Sequence, residues 1–327
     1  LKKCFELDLG KEVYMKIAFM YAGQGAQHVG MGTDFYEKSD EYKSAVDGVS
    51  AGNGSEIKEI MDNGPEELLK RTENTQPAMA AFAVGVTEII RNAGIKPDVV
   101  CGLSIGEYGA LYTAGVITAK DYLEVVKYRG KVMTEASEGL NCAMSAIIGL
   151  GVDKVKEAVK TASKVGYVTI SNYNCTGQYV ITGDETAVAE CERLCIEVGA
   201  KQCVRLNVSG PFHTKYMEEA SAKLRVKLNE IEMENPTVNL LLNVTGDYYK
   251  EGINLKDIME QQIKMGVKFE SEIKKMLEDG VDTFIEIGPG KTLGGFVKKT
   301  AKAINTKVSV YSIDCYEDLN GILADIQ

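Results

Sequence analysis

Residues 97–113 read Pro-Asp-Val-Val-Cys-Gly-Leu-Ser-Ile-Gly-Glu-Tyr-Gly-Ala-Leu-Tyr-Thr. A short apolar run, Val99 to Cys101, breaks at two glycines around one serine and then passes into helix-forming sequence. That order predicts a buried strand, a sharp turn and a helix, with Ser104 at the apex of the turn. Gly102 and Gly106 suit such an elbow, because it asks for unusual backbone angles and brings neighbouring chain too close for a Cβ. The serine hydroxyl is then presented at a helix N-terminus, where backbone N–H groups meet a developing negative charge. Gly-x-Ser-x-Gly is equally the pattern of an ordinary glycine-rich strand-to-helix turn, so the rest of the chain has to supply the partners.

A serine hydroxyl needs a general base, most often histidine, and the chain has two. His28 follows Gly23-Gln24-Gly25-Ala26-Gln27 and reads as a structural residue at the start of a helix. His213 lies in Asn207-Val208-Ser209-Gly210-Pro211-Phe212-His213-Thr214, between a β-like run over 202–208 and a helical stretch beginning near Lys215. A loop held between regular elements is where catalytic groups are carried, which makes His213 the candidate base. Lys16 to Tyr21 reads as a buried first strand entering the Gly23-Gln24-Gly25 turn. Such a turn aims backbone N–H groups into a site, although a purely structural turn fits the same residues. A phosphate loop does not, since neither a Gly-Lys-Ser/Thr ending nor Gly-x-Gly-x-x-Gly spacing is present.

Strand and helix signals alternate: strand at Lys16–Tyr21, helix at Ala78–Asn92, strand at Val99–Cys101, then the helix after Ser104. Alternation of this kind predicts an α/β fold with a parallel sheet covered by helices on both faces, here an α/β-hydrolase-like large subdomain. From 142 to 208 the order becomes βαββαβ, the ferredoxin-like split unit. We therefore expect a leader or extension at 1–14, a large subdomain from 15–139 and 209–327, and an inserted ferredoxin-like small subdomain at 140–208. A substrate cleft is expected between the two, lined from the small side by Asn172 and Asn174, which read equally well as turn residues. Thr283–Ile287 reads as a further buried strand, ending in Gly288-Pro289-Gly290, a plain turn that could also cradle a phosphate.

The 327 residues carry 45% apolar and 26% charged side chains, the balance of a soluble globular protein. No apolar run is long enough to span a membrane, and no signal peptide is evident. A net charge of −10 argues against nucleic acid as the main partner. The eight cysteines show no paired metal spacing and read as reduced thiols of a cytoplasmic protein.

Gly23-Gln24-Gly25-Ala26-Gln27, Thr75-Gln76-Pro77-Ala78, Gly102-Leu103-Ser104-Ile105-Gly106-Glu107-Tyr108, Tyr128-Arg129-Gly130-Lys131-Val132-Met133, Gly210-Pro211-Phe212-His213 and Glu286-Ile287-Gly288-Pro289-Gly290 occur in that order. Together they make a chain that resembles the malonyl-CoA:acyl carrier protein transacylases of fatty acid synthesis, from about Met15 to about Phe296. The resemblance implies Ser104 as nucleophile, His213 as base, and the backbone N–H groups of Gln24 and Ile105 as oxyanion hole. It implies that Arg129 grips the free carboxylate of a malonyl group and that the backbone carbonyl of Gln262 orients His213. Phe212, by the same resemblance, accompanies selectivity for malonyl over branched extenders. Malonyl-CoA and an acyl carrier protein are the implied partners, and no metal or cofactor is needed. Arginine suits the clamp on chemical grounds as well, because its planar fork matches a carboxylate where lysine offers a point charge.

Three positions depart from the family pattern: Leu103 stands where histidine is common, Ala22 where proline precedes the first glycine, and Gly266 where proline often precedes Val267. The last is expected to loosen the segment presenting Gln262. Carrier-protein attraction would fall to Lys127, Arg129, Lys131, Lys298, Lys299 and Lys302, each of which reads equally as part of a solvated face. A discrete polyketide acyltransferase shares every motif; a serine thioesterase or other hydrolase would share the elbow and base but has no use for Arg129. A catalytically idle module that binds carrier protein is the remaining class, disfavoured because every matched catalytic position is filled.

Overall fold

The computed structural model describes residues 15–50, 55–207 and 210–326, so the expected 1–14 extension and the expected 208/209 crossing lie outside the described residues. Ten strands are present among the described residues: β1 (Ile17–Tyr21), β2 (Val99–Gly102), β3 (Cys142–Ile148), β4 (Val168–Cys175), β5 (Gln178–Asp184), β6 (Gln202–Arg205), β7 (Asn239–Leu242), β8 (Asp247–Tyr248), β9 (Thr283–Ile287) and β10 (Ser309–Ile313). They form two sheets, ordered β10-β9-β1-β2-β7-β8 and β4-β5-β3-β6.

The first sheet is parallel apart from the terminal β7–β8 pair. Its central strands Ile-Ala-Phe-Met-Tyr, Val-Val-Cys-Gly and Thr-Phe-Ile-Glu-Ile are buried at every position, which is why they read as unbroken runs without alternation. Tyr21 lies in register with both Gly102 and Ile287, so β1, β2 and β9 end side by side. The Gly23-Gln24-Gly25 turn, the Ser104 elbow and the Gly288-Pro289-Gly290 turn therefore leave the sheet at one rim. Crevices outside the carboxyl ends of parallel strands are where such folds bind ligands.

The second sheet is antiparallel. Its chain order, with helices Val152–Ala162 and Glu185–Glu197 between strands, is the βαββαβ unit expected from the sequence. Ile147, Val155, Ile181, Val188 and Cys191 pack between this sheet and its helices. Residues of opposite parity in β3 and β5, among them Met144, Ala146 and Val180, face a cavity shared with the large subdomain, as do Asn172 and Asn174 of β4, beyond the register shift that follows Ile170. One backbone seam joins the sheets: Tyr173 N–H donates to Val267 O at 2.8 Å and Val267 N–H to Ser171 O at 2.9 Å.

Two details differ from the sequence reading. The helix expected over 78–92 begins at Thr72, with Pro77 inside it. So near the helix start, Pro77 removes a single backbone bond and breaks nothing. His28 begins no helix; the nearest starts at Thr33, and His28 Nε2 instead meets Asp314 Oδ1 at 3.1 Å. Among the described residues no helix is long and apolar enough to cross a membrane, and the described cysteines are free thiols.

Candidate active site

Ser104 adopts φ 56°, in the left-handed region that a side chain avoids at a cost of about 1–2 kcal/mol. The neighbouring glycines make the turn possible. A Cβ on Gly102 would strike the Gly106 carbonyl, and one on Gly106 the Tyr21 carbonyl. The elbow is fastened by Leu103 N–H donating to Tyr21 O at 3.0 Å and Ser104 N–H donating to Asn243 Oδ1 at 2.8 Å.

His213, also at positive φ (59°), brings Nε2 to 2.7 Å from Ser104 Oγ. Its Nδ1 is 2.8 Å from the Gln262 carbonyl, which only accepts, so Nδ1 carries the proton and Nε2 is free to take one. The imidazole is 4% exposed. Burial, with the nearby Arg129 guanidinium second, pushes its pKa down to about 4. The neutral ring is thus the resting form above that pH. Serine acylation is accordingly expected to lose half its rate near pH 4 to 5, well below the 6.5 of a solvated imidazole. A rapid-quench pH profile tests this: an acid limb at 6.5 that persists in Glu107→Gln would contradict it. Because the unfolded chain binds this proton more tightly, the same shift weakens the fold as pH falls from 6.5 towards 4.

Arg129 is fully buried, so the solvated-face reading of this residue is wrong. The helix Ala119–Glu135 directs its Nη2 to Ser104 Oγ (3.2 Å) and to Gln262 Oε1 (3.0 Å), leaving Nε and Nη1 without hydrogen-bond partners. Two unpaired nitrogens on a buried cation, with three N–H groups between them, are expensive, and they are what an incoming anion would satisfy. Lys131, on the same helix, stays exposed.

Ser104 and His213 border a cavity of 260 Å³, lined also by Gln24, Leu103 and Phe212 from loops of the large subdomain and by Asn172 and Asn174 from the small sheet. Arg129, Ile105 and Gln262 stand behind Ser104 and do not line it. The backbone N–H groups of Gln24 and Ile105 have no acceptor among the described residues. Leu103 supplies apolar wall beside the serine.

Gly266 does not loosen its segment: Val267 is bonded on both sides to β4, and His213 N–H donates to Ile263 O at 3.0 Å. Nor does the Gly288-Pro289-Gly290 turn offer an anion cradle. The N-terminus of the helix Thr292–Ala303 is taken by Glu286, which accepts from Leu293 N–H and Gly294 N–H, each at 2.9 Å. Of the suggested basic patch, Lys298, Lys299 and Lys302 are exposed on that helix, while Lys127 borders a separate groove beside Glu124.

Sequence reasoning passed over Glu107, Asn243 and Glu272, all fully buried. Gln262 Nε2 donates to Ser104 O at 2.6 Å and Glu107 Oε2 at 3.0 Å, and Asn243 bridges Glu107 and Glu272. Burial raises Glu107 to about 7 and Glu272 well above the usual carboxylate range. The signal available was a polar residue in apolar surroundings: Asn243 ends Leu240-Leu241-Leu242, and Glu107 opens an otherwise uncharged helix. Among the described residues no cluster of His, Cys, Asp and Glu is placed to hold a metal.

Residues 18–314 match the acyl transferase domain family. The chain is 37% identical over 292 residues to malonyl CoA-acyl carrier protein transacylase of Bacillus subtilis, covering 89% of this chain and 92% of the relative. Its Haemophilus influenzae counterpart is 36% identical over 290 residues, 87% and 92% of the two chains. Among solved structures, the Clostridium perfringens malonyl CoA-acyl carrier protein transacylase superposes with TM-score 0.89 at 39% identity, covering 95% of this chain and 96% of the other. A malonyl-transacylase solved in complex with its type II PKS acyl-carrier protein gives 0.89 at 32% identity, covering 95% and 99%.

Proposed function

The chain belongs to the acyl transferase family, and from that premise we propose that it moves a malonyl group from malonyl-CoA to the phosphopantetheine thiol of an acyl carrier protein, supplying fatty acid synthesis. Ser104 Oγ attacks the thioester carbonyl as His213 Nε2 takes its proton. The tetrahedral oxyanion faces the N–H groups of Gln24 and Ile105. Collapse breaks the C–S bond, His213 returns the proton to the departing coenzyme A thiolate, and a malonyl ester remains on Ser104. The carrier thiol then gives its proton to His213 and attacks the ester, and Ser104 recovers its hydroxyl. Bonds formed and broken balance without a redox partner or cofactor.

The observation that carries this reading is the buried Arg129 guanidinium, whose Nη2 lies 3.2 Å from the Ser104 hydroxyl while Nε and Nη1 stay unpartnered. An esterase acting on neutral acyl groups has no use for that charge, whereas an acyl group ending in a carboxylate completes it. Steady-state kinetics test the scheme. Parallel double-reciprocal lines for malonyl-CoA and carrier protein are expected, with a burst of one coenzyme A per enzyme before carrier is added. Intersecting lines and no burst would mean direct transfer.

Phe212, 6% exposed, borders the cavity immediately before His213, where it occupies space that a branched acyl group would need. One methyl group is a small handle, so Phe212→Ser is expected to relax the preference for malonyl-CoA over methylmalonyl-CoA by roughly 10 to 200-fold in direct competition. An unchanged ratio in a folded variant would leave Phe212 a packing residue only.

A further inference from the structure

Asn243 is fully buried one residue beyond β7, and every polar group of its side chain is engaged. Oδ1 accepts from Ser104 N–H at 2.8 Å and lies 3.5 Å from Gln262 Nε2. Nδ2 donates to Gly102 O at 2.7 Å and to Glu272 Oε1 at 2.8 Å. These partners fix the amide's orientation, since a carbonyl and a carboxyl oxygen can face only its NH2 end and a backbone N–H only its oxygen. One planar group thus grips the elbow on both sides of Leu103. The backbone N–H of Asn243 donates to Glu107 Oε1 at 3.1 Å, which ties the amide to the helix that follows the serine.

We propose that Asn243 is a positioning residue for Ser104: it holds the serine in its left-handed conformation and occupies its N–H, leaving the N–H of Ile105 as the elbow's free donor. The geometry supplies the reason. The direction of the Ser104 side chain follows from its backbone angles, and these are held by bonds to Asn243 at Ser104 N and Gly102 O. Without the amide, the serine loses the contact that opposes its strain, and the Oγ to Nε2 approach of 2.7 Å loosens. An error of about 1 Å in such an approach is worth on the order of 10²-fold in rate.

The inference rests on Ser104 being the nucleophile, and its test is separable from that assignment. Acylation by malonyl-CoA is followed by rapid quench and expressed per titratable Ser104, so that loss of folded protein does not count as loss of rate. Asn243→Ala is expected to acylate about 10²-fold more slowly, with KM for malonyl-CoA within about threefold of the parent. Asn243→Asp supplies a readout that a packing role would not move. When ionised, its new carboxyl turns one oxygen against the carbonyl of Gly102, to which Nδ2 had donated; when protonated, it can accept from Ser104 N–H and donate to Gly102 O. The ratio of variant to parent rate is expected to rise at least about tenfold from pH 8 to pH 5.5. A per-site rate in Asn243→Ala within threefold of the parent overturns the proposal, whatever the melting temperature. So does a flat ratio in Asn243→Asp, which decides alone if the alanine variant does not fold. Failure of the parent itself to label at Ser104 would instead remove the proposed function.

Discussion

Ser104→Ala is expected to abolish acyl-enzyme formation, and His213→Ala to slow it on the order of 10³-fold or more. The expectation follows from how little else could do the work of either residue. Among the described residues the Ser104 hydroxyl has two polar neighbours, His213 Nε2 at 2.7 Å and Arg129 Nη2 at 3.2 Å, and only the first can accept a proton. The carbonyl of Gln262 holds Nδ1 protonated, so the lone pair stays on the nitrogen that faces the serine. Removing the imidazole leaves the hydroxyl without a proton-accepting neighbour among the described residues. Because both side chains serve one step, the double variant is expected to be no slower than Ser104→Ala alone. Rapid-quench labelling with radioactive malonyl-CoA reads all three, and near-normal labelling in His213→Ala would remove the base assignment.

Arg129→Ala is expected to lose malonyl transfer by on the order of 10²–10³-fold in kcat/KM relative to the change in acetyl transfer, through loss of charge-assisted hydrogen bonds to the carboxylate. The comparison with acetyl-CoA matters because Arg129 also touches Ser104 and Gln262, so part of any loss will be common to both substrates. Arg129→Lys keeps a charge but not the fork, and is expected to fall between the two. Equal losses for malonyl and acetyl groups would show that Arg129 serves the architecture of the dyad and not the substrate.

Much of this arrangement was legible in the sequence, and the physical reasons differ from element to element. β1, β2 and β9 could be read because strands buried on both faces leave unbroken apolar runs. The small sheet could be read because its strands and amphipathic helices are short and sequentially arranged. The elbow announced itself through Gly102 and Gly106, whose close approaches no other residue tolerates. The helix start at Thr72 was hidden by Pro77, the helix's sixth residue, which costs one backbone bond without ending the helix. Asn243, Glu107 and Glu272 carry no local pattern at all. Asn243 meets Ser104 across 139 residues and Glu107 across 136, and such pairings exist only once the strands are side by side. The environment of Arg129 was equally out of reach: its immediate neighbours include Lys127 and Lys131, and only the tertiary fold turns its own side chain inward.

Intact-protein mass spectrometry after brief incubation with malonyl-CoA tests the central claim most directly, with peptide mapping of the product and a second spectrum after holo acyl carrier protein is added. A single malonyl adduct on Ser104 is expected, stable in buffer and discharged by the carrier, whose own mass rises by the same malonyl group. An adduct on another residue, or one released as free malonate at the same rate with and without carrier, would contradict the account.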